Sequence, residues 1–266
     1  YFDGEIKHLR VWNSVRTQDE IQTSLFGTLT TNLYNISIKR FNGTINSDYY
    51  NFDGVDDYFE LETEIAPQLA GSDFTIECWF KPITIDTNYS TIYSQGTWGT
   101  NGGNISIVLY ENDTYYKIQL DWYNGYTNIH ISDTTDTTKN QLLNNWNHLA
   151  IVYNSSNPDN RQIYLNGHNY NIPEGSHDNA GISSQGGTHI NEQTTASGEV
   201  LISAIGNPTP IPNTWFNGEL KLLRVWNTIR TETEIQNAIS GGNPNINDYV
   251  YSSNLLLYVP MNNTDL

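Results

Sequence analysis

Aromatic residues in two loop-like stretches have the types and spacing of a sugar-binding surface. Trp98 lies in a glycine-rich stretch, and Trp122, Tyr123 and Tyr126 surround an Asn-Gly turn. A flat ring packs against the C–H face of a sugar, while Asn, Asp and backbone groups bind its hydroxyls. We therefore expect these four residues to bind carbohydrate. The alternative is structural, with Trp122 ending its strand and facing inward.

Three carboxylates form a second candidate site. Asp53, Asp56 and Asp57 follow one another closely around an Asp-Gly turn. Calcium prefers hard oxygen ligands of this kind and takes about six to eight of them. These acids are therefore a candidate calcium site, and no other cofactor is expected. The alternative is that Asp53 caps its own turn and that Asp56 or Asp57 is solvated.

The stretch 173–199 is long, polar and rich in Gly, Ser and Thr. It contains residue types that bind transition metals, namely His177, Asp178, His189 and Glu192. Because their spacing matches no known metal motif, a polar loop is the favoured interpretation.

The sequence carries no motif of a known catalytic site. It has no nucleophile elbow, no glycine-rich phosphate loop and no His/Cys metal cluster. Glu60, Glu62 and Glu64 alternate at the end of a predicted strand, and we expect them on an exposed polar face. The chain is therefore not expected to be an enzyme.

The composition limits the partners of the chain. Its 266 residues include 12 basic and 29 acidic ones, for a net charge of -17. Such a surface repels nucleic acid and anionic membranes. No apolar stretch approaches the roughly 18 residues of a membrane helix. The neutral-polar, turn-rich composition favours an extracellular location or the surface of a virion or cell, and the single Cys78 is expected to be buried.

A repeated segment divides the chain into modules. Residues 1–22 and 215–236 align without a gap, and 14 of the 22 positions are identical. Each copy predicts a strand followed by a short helix, because Thr17 and Thr231 begin Thr-x-x-Glu capping boxes. We expect 1–26 to be the tail of a preceding module and 27–240 to be a complete one. A linker over 241–254 and the opening strand of a further module over 255–266 are expected to follow.

Short alternating runs between turns predict the fold. Phe74, Ile76, Cys78 and Phe80 alternate with mostly polar residues, as in a strand with one face in a core. Roughly a dozen such runs are separated by Gly, Asn and Asp turns. The sequence therefore predicts an all-β, two-sheet antiparallel sandwich, with one short helix after the final strand.

Four blocks in order resemble the concanavalin A-like lectin/glucanase superfamily, in particular its laminin G-like branch. These blocks are Phe52–Tyr58, Phe74–Phe80, Trp146–Tyr153 with Ile163–Gly167, and Phe216–Ile235. The resemblance implies a jelly roll in which Trp79, Trp146 and Trp226 belong to the core. Residues 255–262 also look like the opening strand of this family.

The resemblance also bears on calcium and on catalysis. Many family members hold a structural Ca²⁺, but Lys7 and Lys221 replace an acid that commonly follows the Phe-x-Gly block. A lysine ammonium repels Ca²⁺, which puts the site in doubt, and Lys221 is expected to form a salt bridge with one of the turn acids. Glucanases of the superfamily carry paired acids on one strand, and that spacing does not occur here.

The resemblance and the composition together indicate a non-catalytic surface recognition module of a tandem array. Its expected partner is a glycan or a surface protein, besides the neighbouring modules of its own chain. One alternative is a structural spacer of a fibre, spike or capsid-associated protein that binds no ligand. The less favoured alternative is an atypical glycoside hydrolase.

Overall fold

The fold is an antiparallel β-sandwich, as the sequence predicts. A computed structural model describes residues 38–42, 44–45, 49–61, 65, 69, 72–86, 88–96, 104–111, 115–122, 125–132, 142–156, 161–172, 182–186, 200–206, 210–240 and 254–259. These ranges contain sixteen strands in two sheets and one helix. Within them, no helix has the length and apolar character needed to cross a membrane.

Sheet A has eight strands, each antiparallel to its neighbours. In spatial order they are β1 (Ile38–Asn42), β4 (Tyr58–Leu61), β14 (Val200–Ile202), β6 (Ser90–Gly96), β7 (Asn104–Glu111), β8 (Tyr115–Trp122), β9 (Gly125–Ser132) and β13 (Ile182–Gly186).

Sheet B packs against sheet A and contains the other eight strands. In spatial order they are β12 (His168–Ile172), β11 (Arg161–Leu165), β10 (Asn147–Tyr153), β5 (Phe74–Thr84), β15 (Asn217–Trp226), β3 (Tyr50–Asp53) and β2 (Thr44–Ile45), with β16 (Leu255–Val259) added to β15.

The core lies between the two sheets and follows from strand alternation. Phe74, Ile76, Cys78 and Phe80 of β5 are all buried in it, which confirms the predicted face. Ile118 of β8 belongs to the same core from the opposite sheet. Because alternate side chains point to opposite faces, the residues between them lie on the outer faces of the two sheets.

Two tight turns use backbone conformations that the sequence predicts. Gly54 joins β3 to β4 with a φ of 77°, and a Cβ there would lie 2.7 Å from the Asn217 Cβ. Asn166 and Gly167 join β11 to β12 with φ values of 53° and 80°, the signs expected of a type I′ hairpin. The Asn-Gly pair therefore forms a hairpin within sheet B, whereas the Asp-Gly turn connects sheet B to sheet A.

The second copy of the repeated segment folds as predicted. It forms β15 and then helix α1 (Glu232–Ser240). The Glu234 amide donates to Thr231 Oγ1 at 3.3 Å, and the Thr231 amide donates back to Glu234 Oε2 at 2.8 Å. This reciprocal pair is a capping box. The first copy, residues 1–22, lies outside the described residues.

Strand β16 completes the edge of β15. The first half of β15 pairs with β3 and its second half, from Leu223 to Trp226, pairs with β16. Leu257 and Val259 enter the main core, whereas Leu255 and Tyr258 pack with Trp226 on the outer face of sheet B. The strand predicted to open a further module is thus part of this sandwich, and the division into modules stays a prediction.

The outer face of sheet B buries an ionic cluster centred on Glu77. Glu77 Oε1 accepts hydrogen bonds from Arg224 Nη1 at 3.2 Å and from Trp226 Nε1 at 3.1 Å. Burial opposes ionisation, but Arg224, His148 and Arg230 hold the pKa of Glu77 below its usual range. His148 Nε2 lies 3.7 Å from Glu77 Oε2, and burial lowers the pKa of His148 to about 4. The histidine is therefore neutral at pH 7.

Candidate functional site

The four predicted sugar-binding residues are only partly covered by the described residues. Trp98 and Tyr123 lie outside them, and only the backbones of Trp122 and Tyr126 are described. In the β8–β9 hairpin, Asp121 is the register partner of Tyr126. Their role in binding sugar stays a prediction.

The topology attaches the two predicted stretches to the same end of sheet A. The β6–β7 hairpin closes its register with Gly96 opposite Asn104, and the next β7 residue, Ile105, pairs with Trp122. Gly96, Asn104, Trp122 and Gly125, which flank the two stretches, therefore lie at the same end of sheet A.

Strand β8 carries a ladder of polar side chains on the outer face of sheet A. Lys117, Gln119 and Asp121 alternate with Ile118 and Leu120, which are in the core. Lys117 Nζ donates to Gln119 Oε1 at 3.0 Å, and Gln119 Nε2 donates to Asp121 Oδ1 at 2.5 Å. The alternation of polar and apolar residues along β8 was the sequence signal for this ladder. The sequence-based candidates were the aromatic residues beside it and did not include these three.

The Asp121 carboxylate is the most unusual group of the ladder. Its side chain is buried, with 7% of the residue exposed, and Oδ2 has no hydrogen-bond partner. Burial raises the pKa of Asp121 to about 6, although the Gln119 hydrogen bond and the Lys117 charge lower it. The carboxylate is therefore mostly ionised at pH 7 and lacks a donor for one oxygen.

Side chains of neighbouring strands extend the ladder into a group of residues that we name the polar face of sheet A, of which Tyr110 and Lys117 are half-buried and the others are buried. The register places Ser106 opposite Asp121, Val108 opposite Gln119 and Tyr110 opposite Lys117. Beyond β7, Thr91 of β6 pairs with Val108. The polar face is made of Thr91, Ser106, Tyr110, Lys117, Gln119 and Asp121.

Aromatic rings border the polar face. Lys117 Nζ lies 5.3 Å from the Tyr110 ring centroid, and the ring of Tyr89 lies 6.1 Å from that of Tyr110. Both tyrosines are half-buried, so part of each ring meets solvent. On the other side, Trp215 packs with Leu201 over β14.

Three buried polar atoms on this side of sheet A have no hydrogen-bond partner: Thr91 Oγ1, Asp121 Oδ2 and Trp215 Nε1. Such atoms are uncommon in folded proteins, because an unpaired buried polar group costs about 1–3 kcal/mol. The set includes a hydroxyl, an acceptor and a donor. This side of sheet A therefore contains unsatisfied hydrogen-bonding groups of each kind.

The predicted position of Glu60 was wrong. Glu60 is buried rather than exposed, with 7% of its surface accessible, because its strand β4 lies between β1 and β14. It shares the outer face of sheet A with Asp121, since Phe59 and Leu61 point into the core. Four strand spacings separate β4 from β8, which is about 19 Å.

The Asp53 turn uses its acids for local hydrogen bonds. Asp53 Oδ1 accepts from the Val55 and Asp56 amides at 2.8 Å and 3.4 Å, and Asp57 Oδ2 accepts from the Asp53 amide at 3.0 Å. Oxygens of Asp53, Asp56 and Asp57 lie within 4.8 Å of one another. Burial and the two neighbouring acids raise the pKa of Asp57, although the Asp53 amide opposes this.

The calcium site at these residues stays a prediction. Three carboxylates are about half of the ligands that Ca²⁺ takes, and two of them already accept backbone hydrogen bonds. Lys221, at the position of the missing family acid, lies with Nζ 4.2 Å from the Trp146 ring centroid and 5.5 Å from that of Trp79. The expected salt bridge between Lys221 and one of the turn acids stays a prediction.

The three tryptophans expected in the core differ in their environment. Trp226 is buried, but on the outer face of sheet B with Leu222 and Leu255. Trp79 and Trp146 are half-buried on the same outer side. Of the polar stretch 173–199, only 182–186 is described, so its four candidate metal ligands lie outside the described residues.

A family model described as the concanavalin A-like lectin/glucanases superfamily, of laminin G type, matches residues 53–236. The chain belongs to this superfamily. The match covers all four sequence blocks of the predicted resemblance except Phe52, the first residue of the first block. It confirms the predicted membership of this superfamily. No curated protein sequence matches this superfamily member.

Solved structures share the lectin-like fold at low sequence identity. The enzymatically active domain of tailspike protein 2 of bacteriophage CBA120 is 11% identical over 88% of this chain, with a TM-score of 0.57, and this chain spans 34% of it. The CBM40 module of the Ruminococcus gnavus IT-sialidase, bound to α2,3-sialyllactose, is 12% identical over 74% of this chain and 100% of its own, with a TM-score of 0.50.

A structure from Bacteroides ovatus ATCC 8483 covers 73% of this chain, is 20% identical and has a TM-score of 0.46. The chain spans 46% of that protein's length. At these identities, the two structures with TM-scores of 0.57 and 0.50 show a likeness of fold alone.

Proposed function

We propose that this module binds carbohydrate on the polar face of sheet A. The observation that carries the proposal is the set of unpaired, buried polar atoms on Thr91, Asp121 and Trp215. Sugars are rich in hydroxyl groups that both donate and accept, so one ligand could satisfy groups of all three kinds. The CBM40 module with this fold, bound to sialyllactose, supports a glycan as the ligand class.

The half-buried tyrosines suit the apolar side of the same ligand. Tyr110 and Tyr89 expose part of their rings beside Lys117 and Gln119. A sugar ring stacked on an aromatic face removes apolar surface from water while its hydroxyls reach polar neighbours. The predicted loop residues Trp98, Trp122, Tyr123 and Tyr126 would extend this surface at the end of the sheet where β8 meets β9.

We infer that the module binds without catalysis. Glycoside hydrolases use two carboxyl groups about 5–10 Å apart. Glu60 and Asp121, the acids described on the outer face of sheet A, are separated by four strand spacings, about 19 Å. That separation supports recognition rather than hydrolysis.

We infer that the module is one unit of a tandem array on a secreted, cell-surface or virion-surface protein. The support is the repeat of residues 215–236 in residues 1–22, together with the acidic, neutral-polar composition. The alternative function is a structural spacer, which would bind no glycan.

A matched pair of tyrosine variants tests the proposed function. Tyr110 and Tyr49 are both half-buried, but Tyr49 contacts Trp146 on the outer side of sheet B. The full chain is screened on an array of glycans and polysaccharides, and the strongest ligand is then titrated. We expect Tyr110→Ala to weaken binding about tenfold, about 1.4 kcal/mol, and Tyr49→Ala to leave it unchanged.

Two results would contradict the proposal. Binding that is lost in Tyr49→Ala and kept in Tyr110→Ala would move the site to sheet B. A folded protein that binds nothing on an array including neutral, amino and acidic glycans would favour the spacer.

A further inference from the structure

We propose that the polar face of sheet A selects uncharged sugars and rejects glycans that carry a carboxylate or sulfate at the bound residue. The inference rests on the proposed function, and it assigns the ligand class of the same site. The recognised groups would be hydroxyls and N-acetyl N–H groups, which donate hydrogen bonds to a carboxylate.

The chemistry of Asp121 carries the inference. Gln119 supplies a donor to Asp121 Oδ1, and Oδ2 has none. A ligand hydroxyl or amide would donate the missing hydrogen bond to Asp121 Oδ2. A ligand carboxylate would instead place a second negative charge beside the buried Asp121. Like charges in a site of low dielectric repel strongly, so the acidic ligand is disfavoured.

The cation of the polar face is already engaged. Lys117 is the only positively charged residue on β6, β7 or β8. Its ammonium donates to Gln119 and lies beside the Tyr110 ring. Through this hydrogen bond Lys117 positions Gln119, whose Nε2 donates to Asp121 Oδ1.

The net charge of the whole chain also disfavours the binding of anionic ligands. A net charge of -17 gives a negative potential that lowers the local concentration of anionic ligands. This long-range effect is screened at high salt, whereas the repulsion by the buried Asp121 is screened much less. Selectivity that persists in salt would therefore come from the polar face itself.

Matched glycan pairs provide the test. The full chain is applied to N-acetyllactosamine and its α2,3-sialylated form, and to xylotetraose and its glucuronic acid-substituted form, at low and high salt. Affinities follow by calorimetry for the pair that binds. We expect the uncharged member to bind at least about tenfold more tightly at both salt concentrations.

Asp121→Asn should weaken binding of the uncharged member and reduce the preference to less than about twofold. Asp86→Asn is the matched control, because it removes the same charge from an exposed position outside the polar face. It should leave the preference unchanged.

The outcomes separate this inference from the proposed function. Equal or tighter binding of the acidic member by the wild-type chain would overturn the selectivity and leave carbohydrate binding intact. Absence of binding to every glycan would overturn both. An unchanged preference in folded Asp121→Asn would show that another group excludes anions and would also overturn the inference.

Discussion

At the residue scale, Asp121 has the properties of a group that serves ligand binding and lowers the stability of the fold. Its folded pKa of about 6 is above the ordinary value of 3.8, so folding disfavours the ionised form. A raised carboxyl pKa contributes stability below the unfolded value, and that contribution is lost as pH rises through the folded value. At pH 7 the ionised side chain therefore lowers the stability of the fold, which is common at functional sites.

The raised pKa of Asp121 predicts that Asp121→Asn stabilises the protein. The uncharged amide avoids the burial cost, and the pKa difference corresponds to a gain of about 1–3 kcal/mol at pH 7.5. Urea unfolding at pH 7.5 and at pH 4 measures it, and the gain should shrink at pH 4. A variant less stable than the wild type at pH 7.5 would indicate that the carboxylate has a structural role instead.

His148 predicts a second pH dependence of stability. Its folded pKa of about 4 is below the ordinary 6.5, so the unfolded chain binds a proton between these values and the folded chain does not. Stability should therefore fall as pH decreases from 6.5 to 4, by on the order of 3 kcal/mol from this group. Glu77, Arg224 and the Trp79 ring lie close to it.

Unfolding curves from pH 4 to pH 7 check the contribution of His148. His148→Gln should flatten the pH dependence, whereas His168→Gln, at an exposed position, should not. Identical slopes for both variants would show that His148 binds a proton as readily in the folded protein as in the unfolded chain.

At the element scale, β15 depends on a strand that follows it in the chain. The edge of β15 beyond β3 is covered by β16, whose Leu257 is 1% exposed. Leu256 beside it is only half-buried. The two adjacent leucines therefore offer a matched test of whether β16 is docked in the sheet.

We predict that Leu257→Ala lowers the free energy of unfolding by about 2–5 kcal/mol and that Leu256→Ala lowers it by less than about 1.5 kcal/mol. The difference arises because Leu257 leaves a cavity in the main core. Chemical denaturation of both variants measures it. Equal, small losses would mean that β16 does not pack on β15 in solution.

The polar side of β8 was predictable from the sequence, but the residues beside it on the neighbouring strand were not. Lys117, Gln119 and Asp121 on one face, with Ile118 and Leu120 on the other, are legible as a strand with one polar side. Their importance depends on what neighbours them, because Tyr110 and Ser106 become adjacent only through the β7–β8 register. Alternation fixes the faces of a strand, but it does not fix the partner strand.

At the scale of the whole molecule, the fold was predictable and the site was not. The core face of β5, the Gly54 and Asn166–Gly167 turns and the capped helix depend on local patterns, and the sequence contains them. The polar face lies on three consecutive strands, β6, β7 and β8, and Trp215 at its border comes from a distant part of the sequence. The burial of Glu60 was mispredicted for the same reason, since its neighbours come from elsewhere in the chain.

The incomplete calcium ligand set predicts that Ca²⁺ hardly stabilises the module. A site with millimolar affinity gains about 1 kcal/mol at a few millimolar Ca²⁺, whereas a tight structural site gains about 4 kcal/mol or more. Urea unfolding in EDTA, in 5 mM CaCl₂ and in 5 mM MgCl₂ measures the effect. A gain above about 3 kcal/mol with Ca²⁺ alone, lost in Asp56→Asn, would show that the Asp53 turn is a calcium site.

The central claim is that a glycan binds on the polar face of sheet A, and amide chemical-shift mapping tests it most directly. The ¹⁵N-labelled full chain is titrated with the uncharged glycan that binds most strongly on the array. We predict saturable shifts at the amides of Thr91, Ser106, Tyr110, Lys117, Gln119 and Asp121, with little change around Trp79 and Lys221. Shifts confined to Trp79, Trp146 and Lys221 on the outer face of sheet B would contradict it.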